Sequence, residues 1–280
     1  MATNQMRREA AKRKLERQQE RRAAQAKRRQ QVAIISSVAV VVVVVVGLVL
    51  LSTLTGGEGE PTAADPAAAP TTTEAAPARA LGDCAFTPTP DEPAAKPAPV
   101  PPSGAVGTSG TVAATLQTDR GPIPLTLDRA TGPCAVESFV SLAGAGYFDG
   151  TPCHRLTTSE SLKVLQCGDP TGLGTGGPGY TLNDEPPTAL ATDPQSGASV
   201  YPRGTVAMAK TSAPDSGGSQ FFLVYADSVL PPEYTVFGTI GEPGLATLDA
   251  IAAAGSDGSS GSPTDGAPLS PVTIQTASIG

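Results

Sequence analysis

An uncharged run of 23 residues, 32–54, divides this chain of 280 residues into two parts that need different surroundings. As a helix rising about 1.5 Å per residue, the run is long enough to cross the roughly 30 Å hydrocarbon core of a bilayer. Residues 1–31, ahead of it, hold eleven Lys or Arg and only three acidic residues. Because a basic flank stays on the cytoplasmic side, the pattern predicts one transmembrane helix, a cytoplasmic N-terminus and an extracytoplasmic domain.

Two alternatives concern this N-terminal part. A cleaved signal peptide would have a shorter apolar core, of about 7 to 15 residues, and a small-residue cleavage site, which does not follow Leu54 cleanly. The basic leader has the composition of a nucleic-acid-binding or lipid-binding helix, but an orientation signal with attraction for anionic lipid accounts for it more simply. We therefore expect membrane lipid to be a partner, through residues 32–54, and nucleic acid not to be one.

Residues 55–107 are rich in Pro, Ala, Thr and Gly and poor in large apolar side chains. Such a segment buries too little surface to offset the entropy of ordering, so we predict a disordered, extended tether. Residues 108–280 remain as one folded domain of ordinary size.

The four Cys residues all follow the predicted membrane helix, on the side where disulfides persist. Four Cys permit three pairings. We favour Cys153 with Cys167, which flank a short segment of unusual composition, and Cys84 with Cys134, which would attach the tether to the domain. Four buried free thiols are the alternative.

Apolar periodicity in the domain predicts mainly β structure. Residues 111–118 and 123–128 alternate around a turn at 119–122, and a helix should begin at Pro133 and end before Gly144. The other predicted elements are a second helix around Leu245, Leu248 and Ile251 and strands at 153–157, 164–167, 204–209, 220–225, 235–240 and 272–278. Eight short strands and two helices favour a closed eight-stranded antiparallel β-barrel capped by two α-helices.

Two familiar motifs are set aside. Residues 172–177, GLGTGG, fit the dinucleotide fingerprint by letter, but Pro178 and Gly179 follow where that motif needs a helix. Ser219 lies in a segment similar to an esterase nucleophile elbow, but Phe221 replaces its second glycine and a strand follows. We expect a flexible loop in the first case and no nucleophile in the second.

Residues 153–169 contain the only His, His154, and an isolated charge, Arg155. One His offers little for a zinc site or a nucleophile with its base, whereas an arginine is a permanent donor of hydrogen bonds and positive charge. Neighbouring side chains of a strand point to opposite faces, so if Arg155 faces a cleft His154 faces the interior, and we interpret His154 as structural. Nothing indicates a metal, nucleotide, haem or other cofactor.

The segments HRL, QCGD, TGGPGY, GTVAMA, GSQFF and TVFGTI follow one another in the order typical of cyclophilin-type peptidyl-prolyl cis-trans isomerases. Residues 108–280 resemble this family, and the basic leader, apolar run and tether make the whole chain similar to membrane-anchored cyclophilins of actinobacteria. The resemblance implies the eight-stranded barrel with two helices and catalysis of rotation about X-Pro bonds in extracytoplasmic proteins.

The resemblance also implies residue roles. Arg155 matches the family's catalytic arginine and Gln166 the glutamine that follows it. The implied substrate-binding residues are Ala209, Gln220, Phe222 and Leu230, with Leu162 and Val164 standing in for a Phe-Met pair and Tyr234 for a His.

Several positions depart from the family pattern. The loop 156–165 is about three residues longer than usual, Cys153 stands where Phe is usual, and Lys210 replaces an Asn. Val229 occupies the place of the family's Trp, which implies only weak binding of cyclosporin-like cyclic peptides. These departures motivate the alternative of a chaperone or binding module that holds Pro-containing segments without appreciable catalysis. A hydrolase using His154 or Ser219 is a third, poorly supported class.

Overall fold

The computed structural model describes residues 79–280. The basic leader, the expected membrane helix at 32–54 and the tether up to residue 78 lie outside the described residues. Within the described part, no helix combines the length and the apolar character needed to cross a bilayer.

Seventeen strands and two helices form the described part of the chain. The helices are α1 (Pro133–Gly144) and α2 (Glu242–Ala253). The strands are β1 (Asp83–Cys84), β2 (Phe86–Pro88), β3 (Gly104–Ala105), β4 (Thr111–Thr118), β5 (Gly121–Asp128), β6 (Thr151–Pro152), β7 (Arg155–Thr157), β8 (Val164–Cys167), β9 (Tyr180–Leu182), β10 (Ala191–Thr192), β11 (Ser199–Tyr201), β12 (Thr205–Met208), β13 (Phe221–Val224), β14 (Ser228–Leu230), β15 (Val236–Ile240), β16 (Asp265–Gly266) and β17 (Thr273–Ile279).

Ten strands form one antiparallel sheet in the order β16-β7-β8-β13-β12-β15-β5-β4-β17-β6. Three small sheets accompany it, β1-β3, β2-β9 and β10-β11-β14. Both predicted helices are confirmed, since Pro133 opens α1 and the face with Leu245, Leu248 and Ile251 of α2 is buried. At the start of α1, the buried Glu185 carboxylate accepts the N–H groups of Cys134 and Ala135 at 3.1 Å, which satisfies donors that a helix leaves free.

The central strands are buried on both faces. In β13, Phe221 and Leu223 point into the main core, while Phe222 and Val224 belong to a second apolar cluster on the other face. This double burial is why the segment is a continuous apolar run rather than an alternation. The second face carries the candidate site.

The prediction of a closed eight-stranded barrel is wrong. The main sheet is curled but open, because its edge strands β16 and β6 do not pair within residues 79–280. The predicted strand 153–157 is shorter than expected, since only Arg155–Thr157 is strand. Cys153 and His154 leave the ladder between β6, which pairs with β17, and β7, which pairs with β8. Cys153 N–H still donates to the Val272 carbonyl at 2.9 Å, but neither residue belongs to a strand, so no ladder joins β6 to β7 across them.

The predicted boundary of the tether at residue 107 is also wrong for the described part. Residues 83–105 contain β1, β2 and β3, and β2 pairs with β9 of the domain. Cys84 and Phe86 are buried, at 1% and 4% exposure, and Ala98 and Val106 pack against the core, so side-chain burial adds to strand pairing in this Pro-rich segment.

Both favoured disulfides are present. Cys84 is bonded to Cys134 and Cys153 to Cys167, and the described residues contain no free cysteine. The first bond joins the segment before the domain to the N-terminus of α1. The second joins the residues that flank the candidate site.

Candidate active site

Neighbouring strands bring the principal predicted site residues side by side. Arg155 of β7 lies opposite Gln166 of β8, and Gln166 lies opposite Phe222 of β13. Phe222 in turn lies opposite Ala207 of β12. Residues in register share one face of a sheet, so an arginine, a glutamine and an aromatic ring form a row on the face turned away from the main core.

The Arg155 guanidinium is held by three hydrogen bonds. Its Nε–H and Nη2–H donate to the two carboxylate oxygens of Asp265, at 2.8 and 2.7 Å, and Nη1–H donates to Gln166 Oε1 at 3.3 Å. A guanidinium has five N–H bonds, so two remain free for another acceptor. The Arg155 side chain is 36% exposed, so it remains accessible on the sheet face that also carries Gln166 and Phe222, which we call the groove.

The ion pair keeps both groups charged. The hydrogen bond to Asp265 raises the pKa of Arg155, although burial opposes it. The hydrogen bond from Arg155 lowers the pKa of Asp265 against the opposing effect of burial. The site therefore holds a fixed cation with a set orientation.

Gln166 and Gln220 continue this network. Gln166 Nε2 donates to Gln220 Oε1 at 2.9 Å, and Gln220 Nε2 donates to the carbonyls of Gly174 and Gly176, both at 3.0 Å. Gln166 thus accepts from Arg155 and donates to Gln220, so its amide orientation is determined at both ends.

The glycine-rich loop that receives Gln220 is shaped by a buried carboxylate. Asp169 accepts the N–H of Thr171 at 2.7 Å and of Gly176 at 3.0 Å. Burial alone would raise the pKa of Asp169, but these hydrogen bonds lower it below its usual value. A Cβ at Gly176 would collide with the Asp169 carboxylate, so only glycine allows this approach. The loop that was predicted to be flexible is tied to Asp169.

The remaining predicted binding residues meet in the second apolar cluster. Phe222 is 5% exposed and contacts Tyr234 edge-on, with ring centroids 5.6 Å apart. The predicted residues in this cluster are Leu162, Val164, Ala209, Phe222, Leu230 and Tyr234. Six side chains from separate parts of the chain therefore form one apolar surface beside Gln166 and Arg155.

The lengthened loop 156–165 has defined contacts. The Ser159 hydroxyl is hydrogen bonded to Leu162, Lys163 N–H donates to the Ser228 hydroxyl at 3.0 Å, and Val229 N–H donates to the Ser161 carbonyl at 2.8 Å. The loop is thereby joined to β14, which places Leu162 in the apolar cluster. Val229, at the position of the family's Trp, serves here as an anchor for this loop.

Neither candidate nucleophile takes part in a catalytic arrangement. Ser219 is 2% exposed and donates to the Gly168 carbonyl at 2.7 Å. His154 lies under the glycine-rich loop, where a Cβ on Gly174 would be 3.3 Å from the imidazole ring, and burial lowers the pKa of His154. No group of three or more His, Cys, Asp or Glu residues suited to a metal ion occurs within residues 79–280.

Two contributors were missed by the sequence analysis. Asp265, the partner of Arg155, is 110 residues away in the two-residue strand β16, within a sequence rich in Ser and Gly where an acidic residue has no distinctive signal. Tyr201 is fully buried in the apolar cluster, and its hydroxyl donates to the carbonyls of Pro231 and Tyr234 at 3.1 and 3.2 Å. An isolated tyrosine before Pro202 was the only available signal for it.

The site thus combines an open, curled β-sheet, an arginine held by an acidic partner and an adjoining apolar surface. Residues 113–279, more than half of the chain, match the family model described as cyclophilin type peptidyl-prolyl cis-trans isomerase/CLD. The chain belongs to this family.

Named relatives agree with this assignment. A probable peptidyl-prolyl cis-trans isomerase B of Mycobacterium leprae is 53% identical over 201 residues, covering 69% of this chain and 65% of the relative. The protein of the same description from Mycobacterium tuberculosis is 53% identical over 196 residues, covering 69% and 62%. A peptidyl-prolyl cis-trans isomerase of Helicobacter pylori is 41% identical over 143 residues, covering 50% and 80%. The chain thus spans slightly less than two thirds of the two mycobacterial proteins.

Proposed function

We propose that this protein is a peptidyl-prolyl cis-trans isomerase that acts on X-Pro bonds of extracytoplasmic proteins and assists their folding. The observation that carries the proposal is the Arg155 guanidinium, fixed by Asp265 and Gln166 with two N–H bonds free, beside the apolar cluster around Phe222. Membership of the cyclophilin family and the names of the relatives support the same reaction.

The reaction needs stabilisation of a twisted amide. Uncatalysed rotation about X-Pro takes tens of seconds or more, because conjugation gives a barrier of about 20 kcal/mol. Acceleration of about 10⁴-fold requires about 5.5 kcal/mol of additional transition-state binding. In the twisted state the prolyl nitrogen regains a lone pair that accepts a hydrogen bond, whereas the planar amide offers none. A donor that finds its acceptor only in the transition state lowers the barrier selectively.

Arg155 is the group placed to be that donor. One preorganised donor is worth about 3 to 4 kcal/mol in a site where it needs no reorientation. The hydrogen bonds to Asp265 supply this preorganisation. Phe222 and Leu230, with Leu162 and Val164, would hold the pyrrolidine ring. The second N–H of Gln166 Nε2, which Gln220 does not use, would bind a neighbouring carbonyl, while Gln220 orients Gln166. No proton is transferred at any step.

The location outside the cytoplasm is part of the proposal. Two disulfides in one domain support an oxidising compartment, since the cytosol keeps thiols reduced. The apolar run 32–54 after a basic leader supports attachment to a membrane, with residues 79–280 on the extracytoplasmic side.

The test is an X-Pro isomerisation assay with the full-length chain, kept soluble in mild detergent. Arg155→Ala should lower kcat/KM by about 100-fold or more, the typical effect of losing one preorganised donor. Arg203→Ala is the matched control, because Arg203 also makes a bidentate pair, with Asp249 at 2.7 and 2.8 Å, but lies outside the site. Equal rates for the wild type, Arg155→Ala and an assay without protein would remove catalysis from the proposal.

A second candidate is a chaperone or binding module that uses the same groove. It is favoured by the lengthened loop 156–165, by Lys210 and by Val229 in place of a tryptophan. Calorimetry with Ala-Pro-containing peptides separates the two candidates. Measurable affinity together with an unaccelerated isomerisation rate would select the binding module.

A further inference from the structure

The segment ahead of the family domain contributes to the site. We call residues 86–96 the strap. It lies outside residues 113–279, which match the family. Its first part, β2, pairs with β9, with Phe86 opposite Leu182 and Pro88 opposite Tyr180. The Phe86 ring is buried and meets the Tyr180 ring edge-on at 5.8 Å, so the strap has its own apolar anchor.

Beyond Pro88 the strap crosses the glycine-rich loop. Thr89 N–H donates to the Gly179 carbonyl and Ala95 N–H to the Gly177 carbonyl, both at 2.9 Å. Gly179 has φ +81°, and a Cβ there would lie 2.9 Å from the Ala94 nitrogen. Any other residue at 179 would push the strap away, so this glycine permits the close crossing.

Both ends of the strap are fixed. Before it, Cys84 is bonded to Cys134 at the start of α1. At its end, the Lys96 ammonium donates to the carbonyls of Gly146 and Asp149, at 3.0 and 2.7 Å. The strap is therefore attached to the domain at both ends.

Between the strap and the domain lies a pocket of about 620 Å³. Thr89, Glu92 and Ala95 line it from the strap. On the opposite side it is lined by Gln166, Ala209 and Gln220, which also belong to the groove beside Arg155. A polypeptide with its proline in the groove would therefore direct a neighbouring residue into this pocket.

The charges around the pocket favour a cation. Glu92 makes no ion pair within residues 79–280, whereas the Lys210 ammonium is bonded to Asp184 at 2.7 Å and its side chain is only 8% exposed. Lys96 points away, to backbone carbonyls, and the buried Asp169 adds negative charge beneath the loop. The remaining lining groups are mostly hydroxyls and backbone. Glu92, an exposed residue, is the one acidic residue among those that line the pocket.

We propose that the strap is a specificity element, which forms a subsite for a residue flanking the X-Pro bond and favours Lys or Arg there over Asp or Glu. The proposal rests on the proposed function, because it assumes that an X-Pro segment occupies the groove. In this proposal, a segment outside the family domain determines which polypeptide substrates are preferred.

The experiment compares two peptides that carry Lys or Glu at the two positions on each side of an Ala-Pro pair. Their dissociation constants are measured by calorimetry with the full-length chain, and kcat/KM is measured by the isomerisation assay. The ionic strength is physiological, which gives a Debye length of about 8 Å. We expect Glu92→Gln to reduce the preference for the Lys peptide about threefold, as for an exposed charge pair, and Glu92→Lys to reduce it about tenfold, because it replaces attraction by repulsion.

Asp91→Asn is the matched control, because it removes the same charge from the neighbouring exposed residue, which does not line the pocket. It should keep the wild-type ratio. The strap assignment is overturned if the Glu92 variants keep that ratio, if Asp91→Asn changes it as much, or if neither peptide binds at millimolar concentration. A ratio of affinities that responds to Glu92 without any acceleration of isomerisation would support the subsite and reject the proposed catalysis.

Discussion

The two walls of the groove are held in place by different means. The apolar wall is made of side chains such as Val164, Phe222 and Val224, which project from central strands and are 0–5% exposed. The polar wall is Arg155 and Gln166, which project from strands of the same sheet, with Gln220 just before β13, and its orientation depends on Asp265 and on glycine carbonyls of a loop. Packing therefore determines the first wall, and loop geometry determines the second. A variant can lose one while keeping the other.

The largest expected effect is on the apolar wall. Phe222→Ala removes a buried ring that contacts Tyr201 and Tyr234, and should lower the free energy of unfolding by about 4 kcal/mol. Phe222→Leu should cost less than about 1.5 kcal/mol because it keeps most of the volume. Urea denaturation followed by circular dichroism measures both. A loss below about 1 kcal/mol for Phe222→Ala would show that this wall is not packed as described.

The next effect concerns the disulfide that joins Cys153, two residues before β7, to Cys167 at the end of β8. Cys153 and Cys167 are 14 residues apart, and closing such a loop contributes about 3 kcal/mol in the chain-entropy model. The double replacement Cys153→Ser with Cys167→Ser should lower the free energy of unfolding by about that amount and also lower kcat, because Arg155 and Gln166 lie next to these residues. Unchanged kcat at a temperature where the variant is folded would mean that the β7–β8 ladder alone positions them.

The two walls also differ in how far they could be predicted. The strand Val164–Cys167 and the apolar run of Phe221–Val224 follow from local composition, since a strand buried on both faces needs apolar residues at every position. Family motifs then identified residues that the structure does bring together. The partners of the polar wall depend on long-range contacts, and Asp265 is 110 residues from Arg155. No local pattern encodes such a pairing.

Closure of the sheet and the start of the folded part were predicted wrongly for related reasons. A count of strands cannot show that the chain leaves the ladder at Cys153 and His154, because that break depends on which strands each side pairs with. Composition likewise describes the average of residues 55–107, while a few specific contacts, among them the Cys84–Cys134 bond, the buried Phe86 ring and the pairing of β2 with β9, order residues 83–105. In both cases a few specific contacts outweigh the average pattern.

A smaller effect should isolate the orientation of the polar wall. Asp265→Asn keeps the shape of the side chain but loses the charge that holds both Nε and Nη2 of Arg155. We expect kcat/KM to fall about tenfold, while the free energy of unfolding changes by less than about 1 kcal/mol, as is usual for a partly exposed pair. Asp249→Asn, which disturbs the equivalent bidentate pair of Arg203, is the control and should leave kcat/KM unchanged. Equal effects of the two variants would mean that Asp265 has no special role in orienting Arg155.

The smallest expected effect is a difference between the pH dependence of the isomerisation rate and that of the free energy of unfolding. The pKa of Arg155 is raised and that of Asp265 is lowered below its usual 3.8, so neither changes charge between about pH 6 and 9 and the rate should be flat there.

Burial lowers the pKa of His154 below its usual 6.5, so the unfolded chain takes up this proton first as the pH falls. Above 6.5 His154 therefore contributes nothing, and below it the free energy of unfolding should decline by at most about 1.4 kcal/mol per pH unit until the folded-state pKa is reached. His154→Gln should remove that decline and change kcat/KM by less than about twofold, since the imidazole only packs under the glycine-rich loop and donates to no substrate. The free energy of unfolding of the wild type and of His154→Gln, measured from pH 7 to pH 5, and the pH dependence of the rate check both expectations. A bell-shaped rate profile that His154→Gln abolishes would instead make His154 a catalytic residue.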